Sequence, residues 1–211
     1  MMFFWFALVA IGGYLIGSLN YSIIFSKVFM HSDVRSSGSG NAGSTNMMRS
    51  FGWRAGVITL ITDFFKTVVA TVGAWAIFTL NCPQWVQPAV ALTGLCCCIG
   101  HCFPVFFKFK GGKGVAVGGI MSIMVDWRCG IAVFAAFLIF AAISKYVSLG
   151  SIMGAAAFPS SLVFFTDFSS RQDVTTLIIA ILVAVLIIFL HRKNIVRIVT
   201  GKESRLSFRK K

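Results

Sequence analysis

The sequence predicts an all-α integral membrane protein: one bundle of seven transmembrane helices, N-terminus outside and C-terminus in the cytoplasm. Three observations carry that expectation. Of 211 residues, 57% are hydrophobic and only 12% are charged, where a soluble domain carries about a quarter. The apolar runs are continuous, which suits helices rather than the alternating strands of a membrane barrel. The basic residues gather in alternate connections, as cytoplasmic loops require.

Apolar segments fall at about 3–26, 55–80, 86–107, 113–127, 129–146, 150–167 and 173–191, each judged against the roughly 20 residues a span needs. The first lacks a basic leader and a small-residue cleavage site, so it reads as a retained helix rather than a signal peptide. The fourth and sixth are short and rich in Gly, Ala or Ser, which points to tilt in a thin region or a partly re-entrant segment. Lys27, Arg35, Arg49 and Arg54 follow the first segment, and no basic residue follows the second. Lys108, Lys110 and Lys113 follow the third, Arg128 the fourth, Lys145 the fifth and Arg171 the sixth. Arg192, Lys193, Arg197, Lys202, Arg205, Arg209, Lys210 and Lys211 occupy the tail. Removing one span would scramble this alternation. Trp5, Trp75, Trp85 and Trp127 lie near the expected outer ends and Trp53 near an inner one, as in an interfacial aromatic belt.

The chain is expected to be a single domain, residues 1–211. Its formal net charge of +13 would suggest nucleic acid in a soluble protein. Here it reads first as topology and then as attraction to anionic lipids or substrates, and no nucleic-acid partner is expected. Cys96, Cys97 and Cys98 sit in an apolar run as small hydrophobes. Cys102 beside His101 lacks a second ligand pair at metal-site spacing, so no metal is expected. A disulfide between Cys82 and Cys129 has no support beyond a shared expected side.

Four polar clusters interrupt this apolar chain, all on the cytoplasmic side of the expected topology. Residues 36–49, Ser-Ser-Gly-Ser-Gly-Asn-Ala-Gly-Ser-Thr-Asn-Met-Met-Arg, pack small hydrogen-bonding groups into one loop. Glycine lets backbone N–H groups converge on an anion, and a guanidinium grips phosphate with two parallel bonds. A flexible linker would need neither asparagine nor arginine. Thr45 and Arg49, at i and i+4, share one face of a short helix. The second cluster, His101 to Gly114, ends in Gly-Gly-Lys-Gly, a shortened phosphate loop without full Walker spacing. Lys108 and Lys110 there also satisfy the positive-inside rule, and Lys113 between glycines is the better ligand. The third, Ser144 to Ser151, reads as a tight turn. The fourth, His191-Arg-Lys-Asn-Ile-Val-Arg197, places His191 and Asn194 at i and i+3, with Gly201 and Glu203 following. Asp63 and Lys66, at i and i+3 inside the second segment, are expected to pair or to face the bundle interior.

At these residues the chain resembles the bacterial acyl-phosphate:glycerol-3-phosphate acyltransferases, the PlsY family. The resemblance covers nearly the whole chain. It rests on Gly38 to Arg49, on Gly100-His-Cys-Phe-Pro through Gly111-Gly-Lys-Gly-Val-Ala116, on Lys145 to Ser151, and on His191 to Arg197 with Gly201 and Glu203. Ala42, Ser44, Val117 and Lys145 stand where the family usually has proline, alanine, threonine and arginine.

The resemblance implies transfer of a fatty acyl group from acyl phosphate to the 1-hydroxyl of glycerol 3-phosphate, without a cofactor, by a monomer in the bacterial inner membrane. Ser39, His191 and Asn194 are then expected at the chemistry. Gly38, Gly40, Asn41, Thr45, Asn46, Arg49, Lys108, Gly111, Gly112, Lys113, Gly114 and Arg197 are expected to hold substrate phosphates. Either His191 or the donor's own phosphate oxygen would take the proton. Two rivals are a carrier for a phosphorylated anion and a lipid phosphotransferase. A carrier places its site near the midplane, and a phosphotransferase would need carboxylates for Mg²⁺.

Overall fold

The computed structural model describes residues 1–205; Arg209, Lys210 and Lys211 of the basic tail lie outside the described residues. Every regular element among the described residues is helical. Ten α-helices run in order: α1 Met2–Ser18, α2 Tyr21–Phe29, α3 Ser44–Phe51, α4 Trp53–Asn81, α5 Val86–Cys102, α6 Val115–Val125, α7 Trp127–Ser144, α8 Val147–Phe165, α9 Arg171–Leu190 and α10 Arg192–Val199. Six tracts are long and apolar enough to cross a membrane: Met2–Phe29, Trp53–Asn81, Pro83–Phe107, Trp127–Ser144, Val147–Phe165 and Arg171–Leu190. The segment expected at 113–127 is helix α6, of 11 residues. At 1.5 Å per residue it is roughly 16 Å long, about half the hydrocarbon core.

The first segment departs from a single expected helix. Asn20 breaks it, because its side-chain oxygen accepts from the Ile23 N–H (3.2 Å) and starts α2 afresh. Its amide nitrogen, fully buried, then donates to the carbonyls of Ala42 (3.4 Å) and His101 (3.3 Å). One asparagine therefore ends α1, caps α2 and ties the 36–49 loop to the end of α5.

Helix α5 occupies the middle of the bundle, in contact with α1, α4, α6 and α9. Small residues let α1 approach it. A Cβ on Gly17 would fall 2.2 Å from the Cys97 carbonyl oxygen, and one on Gly100 would fall 2.2 Å from the Tyr14 carbonyl oxygen. Close backbone approach of this kind drives helix association where lipid removes the hydrophobic gain. The core beside α5 joins Cys97, Val117, Met121, Phe158, Ala180 and Val183. Large apolar side chains such as Phe3, Phe65, Trp75, Ile143 and Phe164 point outward, as a lipid-facing surface requires. All six cysteines are free thiols. Helix α9 begins with a complete capping box between Ser170 and Asp173, so its start lies two residues before the expected 173.

Candidate active site

The turn between α9 and α10 supplies the first part of the site. His191 closes α9 and precedes α10. Its ring is buried, with Nδ1 2.7 Å from the Ile187 carbonyl. A carbonyl only accepts, so Nδ1 carries the proton and Nε2 is left as a bare acceptor. Burial, and then the positive charge of Lys113, lower the His191 pKa to about 4. The ring is neutral at physiological pH.

Asn194, also buried, joins two elements. Its side-chain oxygen accepts from Lys113 Nζ, and its Nδ2 donates to Glu203 Oε1 at 2.7 Å. Glu203 takes two further donors, Ser148 Oγ (2.8 Å) and Arg197 Nε (2.7 Å). Gly201, at φ +68°, turns the chain so that Glu203 comes back onto α10. Burial alone would raise the Glu203 carboxyl, but the bonds from Arg197, Asn194 and Ser148 hold it below its usual range. The carboxylate is consumed by structure and offers no general base.

Lys113 reaches the same point from the loop before α6. Burial, then repulsion from Arg197 and from Arg49 on α3, lower its pKa to about 8, with Glu203 opposing. Three cations from three elements therefore act on one small volume. Glu203 neutralises Arg197 at 2.7 Å, so the least compensated of the three is Lys113, which is half-buried and bonded to a neutral amide, the setting of an anion-binding cation. Lys113, Asn194 and Arg197 are joined through bonds, and Arg49 and His191 lie within the same field.

The glycine loop behaves otherwise than expected. The N–H groups of Gly111 and Gly112 donate inward, to the carbonyls of Cys102 and His101, each at 3.0 Å. Both N–H groups are thus engaged in bonds that fold the loop onto the end of α5. Gly112 sits against the His101 ring, where a Cβ would fall 2.1 Å from Nε2. Gly114 adopts φ +77° and leads directly into α6, whose N-terminal dipole adds positive potential beside Lys113.

In the 36–49 loop the structure separates frame from reach. Asn46 is buried, and both its donors and one of its two acceptor positions are used internally. Nδ2 donates to the Val34 and Ser37 carbonyls (3.0 Å each), and Oδ1 accepts from the Ser39 N–H (2.9 Å). These three bonds shape the loop. Gly38 and Gly40, at φ +57° and +71°, flank Ser39 and hold it exposed. Asn41 and Thr45 are half-buried near the start of α3, and Arg49 is exposed on its last turn.

Lys108 is not brought to Lys113. Lys108 and Phe109 both adopt φ +57°, and Lys108 lines a separate open cleft of about 480 Å³ with Asp33, Arg35, Ser36, Gly40, Lys110 and Gly111.

A glycerol-3-phosphate acyltransferase family model matches residues 7–201. The chain belongs to that family. A glycerol-3-phosphate acyltransferase of Chlorobaculum tepidum is 38% identical over 98% of both chains, and one of Syntrophotalea carbinolica is 40% identical over 95% of this chain and 97% of that one. The crystal structure of PlsY (YgiH), an integral membrane glycerol 3-phosphate acyltransferase in its glycerol 3-phosphate form, superimposes with a TM-score of 0.84. It is 34% identical and covers 96% of each chain. Its lysophosphatidic acid form gives a TM-score of 0.79 at the same identity, over 96% of this chain and 95% of that one.

As a member of this acyltransferase family, the protein is an integral membrane enzyme. Two partners in its site, Glu203 and Ser148, lie in motifs noted in the sequence but are given no role there. A signal for Glu203 existed: it is one of only six acids in the chain, and it stands alone in a cationic tail. Ser148, in a turn read as structural, had none.

Proposed function

We propose that the protein transfers a fatty acyl group from acyl phosphate to the 1-hydroxyl of glycerol 3-phosphate, giving 1-acyl-glycerol 3-phosphate and phosphate, the first acylation of phospholipid synthesis. The observation that carries this reading, in a chain of the glycerol-3-phosphate acyltransferase family, is the bonded series Lys113–Asn194–Glu203–Arg197 beside the buried His191. The site is rich in cations and donors and poor in bases. Such a site suits a donor that is already activated and brings its own proton acceptor.

In this reading Lys113, Arg49 and Arg197 hold the phosphate of glycerol 3-phosphate, with Ser39, Asn41 and Thr45 approaching from the 36–49 loop. Asn194 fixes Lys113, and Glu203 in turn fixes Asn194 and Arg197. The glycerol 1-oxygen attacks the acyl carbon and forms an ester bond. The bond from that carbon to the phosphate oxygen breaks, and the proton of the hydroxyl passes to the departing phosphate. His191, with its pKa near 4, is too weak a base for that proton at neutral pH. Its bare Nε2 instead accepts a hydrogen bond from the hydroxyl and orients it. Positioning and charge stabilisation supply the catalysis.

We place the enzyme as a monomer in a bacterial inner membrane, with seven spans of which α6 is the shortest, the N-terminus outside and the site facing the cytoplasm. The distribution of Lys and Arg supports that orientation. The test is purified protein with labelled glycerol 3-phosphate and either acyl phosphate or acyl-CoA. Labelled 1-acyl-glycerol 3-phosphate with acyl phosphate alone is the expected result. Product only with acyl-CoA would overturn the donor assignment, and no product with either would overturn the reading.

A further inference from the structure

Beneath the two phosphate loops lies a buried ionic group that the chemistry above does not use. Asp63 and Lys66 of α4 pair at 2.9 Å with side chains 2% exposed. His101, in the last turn of α5, brings its Nδ1 to 3.1 Å from Lys66 Nζ and 3.4 Å from Asp63. Lys66 Nζ has three N–H groups for four nearby acceptors, so Nδ1 either accepts from Lys66 or, protonated, donates to Asp63 Oδ1, and in both tautomers it binds the pair to α5. Lys66 also donates to the carbonyls of Gly17 and Leu19, each at 3.1 Å. These carbonyls lost their helical partners where Asn20 breaks α1.

The backbone of His101 carries the loops. Its carbonyl receives the Gly112 N–H (3.0 Å) and the Asn20 amide (3.3 Å), and the same Asn20 amide holds Ala42 of the 36–49 loop. The Ala42 N–H reaches the Gly111 carbonyl at 3.4 Å, which closes the circuit between the loops. Burying charge at this depth is costly, and apolar replacement of a buried pair is often neutral or stabilising. Stability alone therefore does not account for an ion pair placed here, and geometry does.

We propose that Asp63, Lys66 and His101 are positioning residues that set the spacing between the Lys113 loop and the 36–49 loop, and thereby the affinity for the phosphate of glycerol 3-phosphate. The proposal rests on the assignment of Lys113 and Arg49 to that phosphate. The network lies behind the loops and touches no substrate. Its loss should loosen the loops while the reacting groups on α9 and α10 stay in place.

The test uses the full-length enzyme in detergent and measures the unfolding midpoint, KM for glycerol 3-phosphate and kcat. The variants are Asp63→Leu with Lys66→Met together, His101→Leu, and His101→Asn. The expected result is a preserved unfolding midpoint in His101→Leu, a lowered one in the double variant, which orphans the Gly17 and Leu19 carbonyls, and in both a KM raised about tenfold, the scale of lost supporting bonds around a site, with kcat changed far less. His101→Asn should recover most of the affinity, because its amide oxygen can accept from Lys66. An unchanged KM in the folded variants overturns the proposal. So does a fall in kcat alone, or equal loss in His101→Asn and His101→Leu. If the double variant does not fold, His101→Leu decides, since it leaves the ion pair intact. Failure of both to fold makes the network a stability element and overturns the proposal too. Lys113→Met is measured in parallel: if it retains normal affinity for glycerol 3-phosphate, the phosphate assignment fails instead.

Discussion

Two basic regions lie within a few residues of each other on the same loop, and they differ in what their charges are free to do. Lys113 is half-buried, bonds the neutral Asn194 amide rather than a carboxylate, and feels repulsion from Arg197 and Arg49, although Arg197 is itself paired with Glu203 and Arg49 is exposed. Around Lys108 the cations are either neutralised or solvated. Arg35 is held by Asp33 at 2.7 Å, and its guanidinium also serves the Phe107 and Lys110 carbonyls at 3.0 and 3.1 Å. The Arg35 bond pulls the Asp33 carboxyl down to about 2, so this pair persists through the physiological range. Lys108 and Lys110 project into water. Positive charge is therefore a poor marker of a site, whereas positive charge that is desolvated and unneutralised is a good one.

The comparison breaks most sharply at Lys113. Lys113→Met should lower kcat/KM by about 10²–10³-fold, the scale of losing one charge-stabilising donor, with the fold intact by unfolding midpoint. The pH dependence follows from the same group. The cation that binds phosphate is present below pH 8 and is lost as pH rises through about 8. KM for glycerol 3-phosphate should therefore stay low near neutrality and climb roughly tenfold per unit at higher pH, since one proton must be taken up. Lys113→Arg, which does not titrate in this range, should remove that alkaline rise. A wild-type KM that stays flat from pH 7 to 10 would reject the role of Lys113.

His191 tests the chemistry on the inner side of the comparison. A general base would be worth about 10²–10⁴-fold. A ring that only orients a hydroxyl should cost roughly tenfold in kcat on replacement by alanine, on the scale of one hydrogen bond. A loss beyond 10²-fold, with an acidic limb near the His191 pKa of about 4, would return the base to His191.

The helical bundle was legible because continuous apolar runs, interrupted by basic connections, follow directly from the thickness of the bilayer. The break at Asn20 was not. One polar residue in an apolar run does not announce itself as a cap, and its other partners, Ala42 and His101, are 22 and 81 residues away. The residue types of the site were legible too, since Gly, Asn, Thr, Arg and Lys in short loops signal anion chemistry. Their division of labour was not. Whether the Gly111 and Gly112 N–H groups face a ligand or the Cys102 and His101 carbonyls depends on backbone direction, which composition does not encode. The same holds for Asn46, whose three bonds reveal a frame only when the loop is seen closed.

Asn46 makes that distinction measurable. As a frame residue its loss acts through stability and loop shape. Asn46→Ala removes three bonds and takes the Ser39 N–H from its acceptor, while the Val34 and Ser37 carbonyls keep the Ser37 and Gly40 N–H groups, so the loss should be about 1–3 kcal/mol. The unfolding midpoint should fall, and KM should rise while kcat falls little. An unchanged midpoint with a large loss of kcat would make Asn46 a ligand of the reacting groups after all.

The smallest expected effect lies on the outer side. Lys108→Ala with Lys110→Ala removes two exposed cations from the open cleft while leaving Arg35 on its three partners. Exposed charges are screened within about 8 Å at physiological salt, so the double variant should alter kcat/KM less than about twofold there. At low salt the loss should grow, because distant cations then draw the anionic substrate inward without touching it. The outcome separates two meanings of a basic surface. A loss that vanishes with added salt marks steering, whereas one that persists near the Lys113→Met level would make the cleft part of the binding site and erase the difference between the two regions.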